Sequence, residues 1–107
     1  MRFTFIESPG FSSLLPDYLS DDEYAELQEY LCEQPDAGDL IRGSGGVRKV
    51  RWSRAGGGKS GGVRICYYAQ TKAGLIFLLV IYAKNVRDSI AGPILKAIKE
   101  EMEHVND

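Results

Sequence analysis

The 107-residue chain is 44% hydrophobic and 26% charged, with six Tyr, four Phe and one Trp. This fits one domain with a modest core, spanning residues 1–107, and no signature of disorder dominates. The longest apolar run, residues 73–83, falls short of the roughly 20 residues a membrane helix needs. No basic region followed by an apolar stretch opens the chain, so neither a signal peptide nor a membrane partner is expected, and the expected location is cytoplasmic. Cys32 and Cys66 lack metal-ligand spacing and read as free thiols.

The net charge of −2 hides a segregation. Residues 1–41 carry ten acidic and one basic side chain; residues 42–87 carry ten basic and none acidic. Residues 88–107 return to an acidic balance, with five acidic against two basic. Such a basic stretch in an acidic protein points to a polyanion partner such as RNA.

In chain order, residues 2–7 read as a first strand and residues 11–19 as a short helical turn. Ser20 and Glu23 have capping-box spacing ahead of Tyr24, Leu27 and Leu31, predicting a helix from Ser20 to near Gln34, where Pro35 stops it. Residues 35–46 form a glycine-ended connector. Three strands follow, near 47–53, 62–69 and 75–83, and then an amphipathic helix with Ile94, Leu95, Ile98 and Met102 on one stripe. The order describes a small α+β domain.

The glycine-rich stretch SRAGGGKSGG, residues 53–62, invites comparison with a phosphate-binding loop. The pattern G-x-x-x-x-G-K-[ST] requires glycine where Ser53 stands, and the residues that follow read as a strand rather than a helix. A hairpin tip, not a nucleotide cradle, is expected.

Alternation along strands sorts the basic residues. Val50 and Trp52 share one face, Lys49 and Arg51 the other; Val63, Ile65 and Tyr67 share one face, Arg64 and Tyr68 the other. With the apolar sets inside, Lys49, Arg51 and Arg64 emerge together. Neighbouring cations repel unless an anion sits among them, and arginine forks suit a phosphodiester. Tyr68 and Tyr82 could stack on a base. Arg48, Arg54, Lys59 and Asn85 are further candidate RNA contacts. Because residues 42–87 hold no Asp or Glu, this face is expected to offer no carboxylate cage for a metal, and no cofactor is expected.

Three pieces of the sequence carry a resemblance: GSGGVRKVRWSRAGGGKSGGVRICYY, then LLVIYAKN with a short C-terminal helix, and YLSDDEYAELQEYL upstream. Over about residues 2–103 the chain resembles the HigB-like branch of the RelE toxin superfamily. The resemblance implies a RelE-like fold, with an antiparallel-rich twisted sheet, N-terminal helices and a C-terminal helix. It also implies a type II toxin that cuts messenger RNA, usually at the ribosomal decoding site, and that a cognate antitoxin silences. The expected partners are therefore antitoxin, mRNA and ribosome. By position, the family's basic strand pair falls on Lys49 and Arg51, its next-strand arginine on Arg64, and its basic position after the last strand on Lys84 or Asn85. RelE-like enzymes often carry a C-terminal tyrosine or histidine; around Ile90 and Ala91 this chain has neither, and His104 lies far beyond. Tyr82 is the nearest substitute, and Lys49 or Lys84 is a candidate proton donor or acceptor.

The implied reaction needs no protein nucleophile: the ribose 2′-OH attacks its own 3′-phosphate while fixed cations stabilise the growing charge. A non-catalytic module that binds RNA or the ribosome would explain the same basic face, as would a surface that receives an acidic antitoxin.

Overall fold

The computed structural model describes residues 2–53, 62–84 and 89–106. The elements run β1 (Thr4–Glu7), α1 (Pro9–Tyr18), α2 (Asp21–Glu33), β2 (Asp39–Leu40), β3 (Arg48–Trp52), β4 (Val63–Gln70), β5 (Leu75–Ala83) and α3 (Gly92–Val105).

Residues 11–19 do more than turn. Pro9 stands in the first turn of α1, where its missing N–H costs nothing, and the Ser8 hydroxyl caps the helix by accepting from the Phe11 amide at 3.0 Å. The same hydroxyl donates to the Leu79 carbonyl at 2.7 Å, tying the helix start to the sheet. Pro16 sits inside the helix on its solvent side, where the carbonyl it leaves without an intrahelical donor can be hydrated.

The capping box of α2 forms as its spacing predicts: the Glu23 amide donates to Ser20 Oγ at 3.1 Å, and the Ser20 amide donates to Glu23 Oε1 at 2.8 Å. Ser20→Ala should therefore lower stability by about 1 kcal/mol. Urea unfolding should show a lower midpoint with unchanged slope; an unmoved midpoint would leave the box without energetic weight. Leu27 and Leu31 are buried, while Asp21, Asp22, Glu26, Glu29 and Glu33 face solvent.

The sheet order is β1-β5-β4-β3-β2, with β1 parallel to β5 and the other neighbours antiparallel. Helices cover both faces. On one, α1 and α2 place Phe11, Leu27 and Leu31 against Val50, Ile65, Tyr67, Leu78 and Ile81. On the other, α3 places Leu95 and Met102 against Cys66, Phe77, Leu79 and Tyr82. Coverage on both sides explains why β5 is apolar without alternation. Between Cys66 and Tyr67 the β4–β5 register shifts, because Leu79 is an extra residue opposite the break; Leu79 and Val80 both pack toward α3.

The stripe expected on α3 is rotated: Leu95 and Met102 are buried and Ile98 partly so, but Ile94 is exposed. Lys99 goes inside instead. Its ammonium donates to the Gly45 carbonyl at 3.0 Å and lies 4.5 Å from the centre of the Tyr68 ring.

The connector between α2 and β3 is held at several points. Tyr67 Oη lies 2.7 Å from the Ala37 carbonyl and 2.9 Å from that of Pro35. The Arg48 guanidinium donates to the carbonyls of Asp36 and Gly38 at 2.9 and 3.2 Å. Gly38 has φ 78°, and a Cβ there would stand 2.2 Å from the Lys49 carbonyl oxygen, so only glycine lets β2 close on β3.

Candidate functional site

Register fixes what alternation could only suggest. Asp39 is opposite Lys49, and Lys49 is opposite Cys66, which faces Val80. One step along, Arg51 is opposite Arg64, which faces Tyr82. Neighbouring strands lie about 4.8 Å apart, so the two guanidinium-bearing residues start from directly opposed positions. Like charges so placed destabilise the pair in the absence of a counter-charge.

Lys49, Arg51, Arg64 and Lys84 line one cleft of about 530 Å³, together with Gly38, Asp39 and Val50. Four of the expected site residues thus converge, from β3, β4 and the end of β5. Arg51 and Lys84 are exposed, Lys49 half-buried and Arg64 only 7% exposed. An arginine so little exposed acts through fewer waters than a surface one, which strengthens its pull on an anion. Lys99 and Glu103 pair at 4.0 Å along α3, outside this cleft.

Asp39 adds one carboxylate to the cleft that the strand pattern did not point to. It enters from β2, outside the acid-free span, and sequence position gave no sign that the connector would fold back beside Lys49. No group of three or more His, Cys, Asp or Glu suited to a metal ion occurs among the described residues.

The other expected residues lie elsewhere. Tyr82 shares a row with Arg64, yet it is 6% exposed and packed in the core under α3, with its hydroxyl out of contact with solvent. Tyr68 is stacked on Phe77 with ring centroids 6.4 Å apart, beneath Lys99. Its distance from Arg64 along β4 is four residues, about 13 Å. Arg48 points to the face opposite Lys49 and Arg51 and serves the connector. Arg54, Lys59 and Asn85, with the glycine loop between β3 and β4, lie outside the described residues.

Cys66 lies in the Lys49 row and is fully buried. Burial pushes its thiol up to about 12, with Lys49 opposing the shift. The reactive species is the thiolate, so at pH 8 Cys66 is protected twice over. A native thiol titration should find one fast equivalent, from half-buried Cys32, and a second only on unfolding. Two fast equivalents would contradict the burial of Cys66.

No protein-family model matches the chain. Among solved structures, the fold is similar to that of the E. coli toxin RelE, seen in its free state as a mutant with two arginines replaced by alanine. The TM-score is 0.58 at 15% identity, with 94% of this chain and 98% of that chain covered. The likeness is one of fold: this chain has the small RelE-like α+β architecture.

Proposed function

We propose that the chain is the toxin of a type II toxin–antitoxin module, of the HigB-like branch, and that its cleft cuts messenger RNA on the ribosome without a metal ion. The observation that carries this reading is the convergence of Lys49, Arg51, Arg64 and Lys84 on one cleft, with Arg51 directly opposite Arg64. A phosphodiester in the cleft is suited to the planar forks of donors that Arg51 and Arg64 carry. In the reaction the message's 2′-oxygen attacks the adjacent phosphorus, and charge accumulates on the non-bridging oxygens where the arginines stand. A donor so preorganised contributes about 3 kcal/mol to the transition state. Lys84, exposed and lining the cleft, is the candidate to protonate the departing 5′-oxygen. No helix among the described residues is long and apolar enough to cross a membrane. The proposed toxin acts in the cytoplasm and is held in check by an antitoxin.

A second reading, a module that blocks translation by binding RNA or the ribosome without cutting, draws on one observation. Tyr82, the aromatic hydroxyl nearest the arginines in register, is buried.

Both readings place RNA in the cleft, and salt dependence tests that. Four phosphate contacts to single-stranded RNA predict log K falling with log salt at a slope of roughly −3, and Arg51→Ala should flatten it by about 0.7. An affinity insensitive to salt would remove RNA from the cleft.

A further inference from the structure

We propose that Asp39 is the proton acceptor for the attacking 2′-hydroxyl, an inference that rests on the endonuclease reading above. The cleft is ordered in rows along the strands. Asp39 and Lys49 form one row and Arg51 and Arg64 the next, and Lys84, the residue after β5 ends, lines the cleft beyond them. Rows on one face are about 7 Å apart. A phosphate held by the central arginines therefore has a carboxylate on one side and an ammonium on the other. In-line displacement at phosphorus requires that order, since the nucleophile enters opposite the leaving group.

Asp39 is delivered there by construction. Tyr67 and Arg48 hold the carbonyls of Pro35, Ala37, Asp36 and Gly38 on either side of the bend. Gly38 then lets β2 approach the Lys49 backbone more closely than any side chain would permit. Asp39 is the carboxylate among the described residues that line the cleft. In the step, the 2′-hydroxyl proton passes to the Asp39 carboxylate as the 2′-oxygen–phosphorus bond forms. The phosphorus–5′-oxygen bond breaks, and that oxygen takes a proton from Lys84. The products are a 2′,3′-cyclic phosphate and a 5′-hydroxyl, with protons balanced between the two side chains.

The test uses the full chain on programmed ribosomes, with two messages: one natural, one with sulfur in place of the scissile 5′-oxygen. Sulfur departs without a proton, so an acid becomes dispensable while a base does not. Asp39→Asn keeps the shape of an exposed side chain, and its melting curve should match the wild type. The natural message should be cut slower by a factor of about 10² to 10⁴, and the sulfur message should show a similar loss. Lys84→Ala, in contrast, should recover on the sulfur message. Wild-type rates in both Asp39→Asn and Asp39→Ala overturn the inference, and so does recovery of Asp39→Asn on sulfur. Tighter RNA binding without a slower step, the signature of a carboxylate that merely tempers Lys49, overturns it too. If the wild type cuts neither message, the endonuclease reading itself fails.

Discussion

Single-turnover cleavage by Arg64→Lys, at saturating ribosome complex, is expected to fall about a hundredfold, equivalent to roughly 3 kcal/mol of transition-state stabilisation. Lysine keeps the charge but loses the planar fork. The effect should exceed that of the same change at Arg51, because Arg64 is 7% exposed and Arg51 lies at the solvent side of the cleft. Fixed donors in a water-poor site are worth more than hydrated ones. Melting curves separate this loss from misfolding, since Arg64 is itself part of β4. A folded Arg64→Lys variant with wild-type rates would reduce the arginine to an interchangeable phosphate contact.

The larger effect lies on the substrate. A message with 2′-deoxyribose at the scissile nucleotide should not be cut at all, because in the proposed reaction the 2′-oxygen is the nucleophile. The products from the all-ribose message should end in a 2′,3′-cyclic phosphate or 3′-phosphate. The ribosome's Mg²⁺ need not be disturbed, so the result reports on the cleavage chemistry alone. Cutting of the deoxy message, or ends bearing a 3′-hydroxyl and 5′-phosphate, would mean that water or a protein group attacks instead.

What could be read from the sequence was mostly local. Ser20 and Glu23 announce α2 because the two partners of a capping box stand only three positions apart. Alternation assigned Lys49, Arg51 and Arg64 to one face because strand side chains alternate whatever the strand's neighbours. The extent of α1 was missed: its signals, Ser8 as cap and Pro9 in the first turn, stand just ahead of the apolar positions, and Pro16 breaks the pattern. Other misreadings depend on contacts distant in sequence. Tyr82 shares a strand face with the cations, but α3 returns to cover that end of the row, which alternation cannot register. Tyr68 is taken up by Phe77 and by Lys99 from α3. Asp39 reaches the cleft only because Tyr67 and Arg48, some ten to thirty residues away in sequence, grip the connector's carbonyls. In the sequence it looks like one more acidic residue of an acidic N-terminal half.

The most direct measurement is the fate of a message on ribosomes programmed with a defined codon in the decoding site. Wild-type protein and a folded Arg51→Ala/Arg64→Ala variant should be compared by primer extension and by translation of a reporter. Wild type should leave a discrete new 5′ end within the message and stop translation, and the double variant should do neither. An intact message whose translation is nevertheless blocked by wild type would contradict cleavage and establish the cleft as a binding surface.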